Sequence, residues 1–294
     1  MSQVNQIENI DLVMLIKSLF SKQGILVVSI AFFLSLLFSL TITKFYKSET
    51  LLFLESSSDD ISAGLRSFGG LASFAGVNIS EDDESQKVIA KIKSRDFLRK
   101  IKVLDTVPSH LLAFNYYDKE ADQSHFFDLQ YITELDAWEV TLDGDVKIHN
   151  FERLYKSYLD GLTVERDRAT GFLKLTYEHQ SPKFAKLFLE IIVVEINELF
   201  REEELKEADR AIAYLQNQYS SISKAEVKDS LNQILKTQLE SRMLANINKD
   251  FLLKYIATPN LPEEKIRPNN LLISLLGAIF ASLGFLLYVH LLRK

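Results

Sequence analysis

Two long uncharged runs, one toward each end, constrain this chain more than any other feature. Between Lys22 and Lys44 lie 21 residues without a charge, and between Arg267 and Arg293 lie 25 more. At about 1.5 Å of helical rise per residue, each run matches the roughly 30 Å hydrocarbon core of a bilayer. The first exceeds the apolar region of a signal peptide, and Leu40-Thr41-Ile42 offers no small-x-small cleavage site. The second is too long for an ordinary buried core helix. The sequence therefore predicts a cytoplasmic N-terminus over 1–22, a transmembrane helix over 23–43, a domain over 44–267, a second transmembrane helix over 268–292, and a cytoplasmic end at 293–294.

Charge sets the orientation. The ends carry Lys17, Lys22, Arg293 and Lys294 against Glu8 and Asp11, while the whole chain has a net charge of −6, so the acidic excess lies in the loop. Cations are retained on the cytoplasmic side, although Lys44, Lys47, Lys265 and Arg267 weaken the local contrast. The loop is thus expected to be periplasmic or extracellular. The absence of Cys suits an oxidising compartment. An acidic loop without clustered Lys and Arg disfavours nucleic acid as a partner.

Small residues recur at helical spacing in both runs: Ala31, Ser35 and Ser39 in the first, and Ser274, Gly277, Ala278, Ala281 and Ser282 in the second. Such residues let helices approach closely in lipid, which makes them candidate membrane-packing positions; chance small residues in an anchor are the alternative.

The loop carries three strand signals. They are Ser48 to Glu55; Trp138 to Leu142 with a return through Val146 and Ile148 after Asp143-Gly144; and a hairpin from Leu162 to Arg166 and Phe172 to Tyr177 around Asp167 to Gly171. Residues 84–104 read as helix. The acids Glu81 to Glu84 suit a helix N-terminus and lack the spacing of a calcium loop. The longest element opens with Ser181 as N-cap and Pro182 at the first helical position. Apolar residues then keep helical spacing to about residue 249, which predicts a rod of roughly 100 Å. Ser220, Ser221 and Ser223 mark where the rod would bend or, in the other reading, fold back as a hairpin. A strand at Phe251 to Ile256 and the candidate re-entry segment of Pro259, Pro262 and Pro268 complete the loop. The expected fold is an α+β domain with a small membrane-proximal sheet and a very long helix, flanked by two transmembrane helices.

Reactive constellations are missing. His110, His125, His149, His179 and His290 are scattered, and no His-Glu-x-x-His, Gly-x-Ser-x-Gly or phosphate-loop motif occurs. The Gly-rich stretch from Gly64 to Gly76 has no following Lys, and Asp59 and Asp60 read as solvated loop residues. No catalytic residue, metal or cofactor is expected.

Four segments in order resemble the Wzz family of polysaccharide chain-length determinants, also called polysaccharide co-polymerases. They are the small-residue loop Gly69 to Gly76, the helix Ala90 to Phe97 with its Ser94-Arg95 pair, the hairpin and helix entry from Leu162 to Ala185, and Ala257 to Glu264 followed by Pro268. Thr258 departs from relatives that place Asp before the first Pro, and residues 108–136 match no motif. The resemblance implies an inner-membrane protein with cytoplasmic ends and a periplasmic α+β domain. It implies a homo-oligomer that sets how far a Wzy-type polymerase extends a growing polysaccharide such as O-antigen. Kinase relatives append a nucleotide-binding domain after the second span, where only Arg293 and Lys294 stand here. The alternative reading is a two-span sensor or receptor with a periplasmic ligand-binding domain. A glycan hydrolase or transferase, the third class, would need paired carboxylates facing a cleft.

Overall fold

A computed structural model describes residues 19–55, 81–142, 144–219, 224–248 and 251–292. Sequence expectations for residues 1–18, Asp59, Asp60, Gly64 to Gly76, Asp143, Ser220, Ser221, Ser223, Arg293 and Lys294 lie outside the described residues. The chain divides into two units, residues 1–45 with 264–294 and residues 46–263.

The first unit is a pair of apolar helices, α1 (Lys22–Thr41) and α8 (Asn270–Leu292). Ser21 caps α1 by accepting the Gly24 N–H at 3.1 Å, and Asn269 accepts the Leu272 N–H at 3.3 Å at the start of α8. Only 11% of the most apolar stretch of α1 and 6% of that of α8 is buried. Helices so apolar and so exposed are suited to lipid rather than to a water-surrounded core. Beyond them, the Phe45 N–H donates to the Arg267 carbonyl at 3.0 Å and the Phe45 carbonyl accepts the Ile266 N–H at 2.9 Å, in a short antiparallel bridge.

In the second unit the strands β1 (Tyr46–Leu54), β7 (Leu162–Arg166), β8 (Leu173–His179) and β9 (Leu253–Ala257) form an antiparallel sheet in the order β7-β8-β1-β9. Alternation explains its sidedness: Leu173, Leu175 and Tyr177 are buried, whereas Lys174 points outward and pairs with Glu49 across the strands at 2.9 Å. The β7–β8 hairpin turns where the sequence places it. The Asp167 side chain accepts the Ala169 N–H at 2.8 Å, and Gly171 takes φ +76°, a conformation only glycine adopts freely.

Among the described residues, four helices lie in this unit before the long element: α2 (Glu81–Ile92), α3 (Arg95–Ile101), α4 (Thr106–Leu112) and α5 (Phe151–Gly161). Tyr158 and Tyr155 of α5 donate to the carbonyls of Ile92 at 2.6 Å and Lys93 at 2.7 Å, so orphan acceptors where α2 ends are satisfied. The unmatched stretch 108–136 includes the hairpin β2 (Phe114–Asp118) and β3 (Gln123–Phe126), and β4 (Asp128–Ile132). The last joins β5 (Ala137–Leu142) and β6 (Asp145–Asn150) in a second antiparallel sheet.

The expected single rod is two helices, α6 (Pro182–Tyr219) and α7 (Ala225–Ile247), which pack antiparallel. The first 16 residues of α6 cover the main sheet, with Phe184, Phe188, Leu189, Ile192 and Ile196 fully or almost fully buried. Farther along, Ala208 of α6 and Ala245 of α7 are buried, and Arg242 meets Asp209 at 2.8 Å. Packing the two helices on each other covers apolar stripes that one uninterrupted helix would leave in water, which is the physical reason for the hairpin reading over the single rod. At 38 residues, α6 still spans about 57 Å.

Candidate functional site

In the first unit, Ser39 and Ser274 are buried and Ala31, Ser35, Gly277, Ala278, Ala281 and Ser282 are half-buried, all along one flank of their helix. Ser39 opposes Asn270 and Ser35 opposes Gly277, so the helices run antiparallel. A Cβ built at Gly277 would lie 1.8 Å from Ser35 Oγ and 2.6 Å from Ser35 Cβ, so the contact excludes any larger residue. Ser274 donates to the Asn270 carbonyl and Ser282 to the Ala278 carbonyl within their own helix, each at 2.7 Å, whereas Ser39 donates across the pair to Asn270 Oδ1 at 2.8 Å.

Of the candidate re-entry residues, Pro259 and Pro262 are buried in the second unit, and Pro268 is half-buried in the first. Proline has no N–H for a strand ladder, and side chains take over its role. Ser48 Oγ donates to the Asn260 carbonyl at 2.7 Å, Thr50 Oγ1 to the Ala257 carbonyl at 2.6 Å, and Asn260 Oδ1 accepts the Glu49 N–H at 2.7 Å. The segment is thereby pinned along β1.

The Ser94-Arg95 pair opens a more elaborate surface. Ser94 caps α3 by accepting the Phe97 N–H at 3.1 Å. This sets Arg95, Arg99 and Lys102 at helical spacing against rings from other elements. The Arg95 guanidinium lies 4.6 Å from the Tyr155 ring centre, that of Arg99 4.9 Å from Phe151, and Lys102 Nζ 5.2 Å from Trp138 and 5.5 Å from Tyr131. Each cation also meets a carboxylate: Arg95 meets Glu152 at 2.9 Å, Arg99 meets Asp96 at 2.9 Å, and Lys102 meets Asp136 at 2.6 Å. Hydrogen bonding from Lys102 and then from Tyr131 lowers the Asp136 pKa, and that from Arg95 lowers the Glu152 pKa. Sequence reading singled out Arg95 as part of a motif. The partner rings it missed, although the helical spacing of the three cations was visible.

His110 and His179 sit in an aromatic cluster with Phe114, Phe126 and Phe184; the His110 ring stacks on Phe184 at 3.8 Å and 5°. Ser181 N–H donates to His179 Nδ1 at 3.0 Å, leaving Nε2–H to donate to the His110 carbonyl at 3.3 Å. Burial pushes the His110 pKa down to about 4 and that of His179 to about 3. Both rings are neutral in the folded protein, while unfolded histidines take up protons below about pH 6.5. Their contribution to stability is therefore complete above that pH and is lost as pH falls toward 4. Thermal melts between pH 7 and 4 will show this decline. His110→Phe, which keeps a ring on Phe184, will flatten it; an unchanged slope in the variant would contradict the assignment.

Among the described residues, no group of three His, Cys, Asp or Glu side chains stands close enough to hold a metal ion.

No family model matches the chain. No curated protein matches it either. Among solved structures the chain is similar to a full-length bacterial polysaccharide co-polymerase, at 12% identity and TM-score 0.36 over 97% of this chain and 98% of that one. It is also similar to a fragment of WzzB, a polysaccharide co-polymerase from Salmonella Typhimurium, at 13% identity and TM-score 0.33 over 76% of this chain and all of that one. A third is a point mutant of the Shigella flexneri lipopolysaccharide O-antigen chain-length regulator WzzBSF, at 12% identity and TM-score 0.25 over 76% of this chain and 100% of that one.

Proposed function

We propose that this chain regulates the length of a surface polysaccharide, such as lipopolysaccharide O-antigen, as an oligomeric, non-catalytic partner of a Wzy-type polymerase. The observation that carries the reading is a mixed domain with a long helical hairpin, lying in sequence between two apolar helices whose small-residue flanks face each other. The ordered segments at Ala90 to Phe97, Leu162 to Ala185 and Ala257 to Pro268 support it. In this reading the protein crosses the bacterial inner membrane twice, with both ends cytoplasmic and residues 44–267 periplasmic, following its charge asymmetry. Ala31, Ser35, Ser39, Ser274, Gly277, Ala278, Ala281 and Ser282 let the spans approach closely, within one chain and between copies. Action is geometric: the protein presents a surface to the polymerase or to the growing chain and performs no covalent step.

Deleting the gene and displaying the lipid-linked glycan on a gel tests this. The expected result is loss of the modal length distribution and its return on complementation. An unchanged ladder would overturn the proposal.

A further inference from the structure

Helix α3 and its C-cap residue Lys102 set Arg95, Arg99 and Lys102 along one face, about 10 Å from first to last. Three carboxylates accompany these three cations, so the patch has little net charge yet is dense in donors and acceptors. Arg95 gives Nε and one terminal nitrogen to Glu152, and Arg99 gives one terminal nitrogen to Asp96. A guanidinium has five N–H donors, so donors remain to face water on both arginines. Asp96 and Glu152 are 85% and 62% exposed, with carboxylate lone pairs to spare. Beside Lys102, Tyr131 is 44% exposed, steadied by its hydroxyl bond to Asp136 at 2.7 Å.

This combination selects a class of ligand. A polyanion would meet three carboxylates as well as three cations, and a purely apolar partner would bury ion pairs at a large desolvation cost. Sugar hydroxyls both donate and accept, and the C–H face of a pyranose stacks on an aromatic ring. We infer that this face of α3 binds a short neutral segment of glycan. Its hydroxyls engage the Arg95–Glu152 and Arg99–Asp96 pairs, and one sugar ring lies on Tyr131. The inference rests on the proposed function, which brings a glycan to this domain, and it adds where and how the glycan is held.

The only Trp in the chain, Trp138, has its ring 5.2 Å from that of Tyr131, so its fluorescence reports on this patch without a label. The full-length protein in detergent is titrated with neutral oligosaccharides of the gluco-, manno- and galacto- series and, separately, with oligogalacturonate. The expected result is a saturable response to at least one neutral series. Arg99→Ala and Tyr131→Ala should each weaken it about tenfold, the scale of one lost charge-assisted hydrogen bond or stacking contact. Tyr214→Ala, an exposed tyrosine on α6, should bind as the wild type does. No saturable response to any neutral series, tighter binding of oligogalacturonate, or full affinity in both variants would overturn the inference. The gene deletion separates the two ideas: an altered glycan ladder without oligosaccharide binding removes the α3 site and leaves the proposed function standing.

Discussion

Replacing Gly277 with leucine is expected to break the pairing of α1 and α8. Even a single added carbon would stand 2.6 Å from Ser35 Cβ, an atom fixed to the α1 backbone, so a rotamer change cannot relieve the clash. The helices must separate. In lipid their association rests on close packing, without the hydrophobic drive available in water. Separation also removes the Ser39–Asn270 hydrogen bond at 2.8 Å. The chain has no Cys, so cysteines introduced at positions 31 and 281, which the antiparallel register sets side by side, read the pairing through oxidative cross-linking. The cross-link should be strong in the parent and nearly absent with Gly277→Leu. It should return when Gly277→Ala is combined with Ser35→Gly, which moves the missing side chain to the other helix. An undiminished cross-link in the leucine variant would show that the two helices do not depend on this contact.

The second large effect is expected at Asn197, a buried polar residue on α6, 2% exposed. Its Oδ1 accepts the N–H groups of Leu252 at 3.0 Å and Leu253 at 2.7 Å, and its Nδ2 donates to the Leu253 carbonyl at 2.9 Å. One side chain thus holds the chain where it returns from α7 into β9. Leucine would fill similar space but leave these three backbone groups unpaired in a dry environment, with Leu252 3% and Leu253 0% exposed. Unpaired buried groups cost roughly 1–3 kcal/mol each, so Asn197→Leu should destabilise the protein by about 3–5 kcal/mol. That corresponds to a fall in Tm on the order of 10 °C for a domain of this size. A Tm for the leucine variant close to that of the parent would remove Asn197 from this role.

Legibility in the sequence followed the range of the interactions. The β7–β8 hairpin was readable because Asp167 and Gly171 act within their own turn, and the start of α6 because Ser181 caps it through the Phe184 N–H at 3.3 Å. The stretch 108–136 was opaque. Its strands are short, and Phe114 and Phe126 pair with each other only once His110, His179 and Phe184 are beneath them. The α3 surface was half-visible: spacing puts Arg95, Arg99 and Lys102 on one face, but their rings come from β4, β5 and α5.

What the amino-acid order determined alone were the two bilayer-length apolar helices, the strands with alternating burial and the long helical run, because length, periodicity and capping act within a few residues of each other. Only the tertiary structure decided that the run is two helices packed on each other, that Asn197 anchors the return, and that three cations, three carboxylates and four rings share one face. An apolar stripe records that it must be covered and is silent about what covers it. The choice between a neighbour and its own chain is made by contacts between residues far apart in sequence.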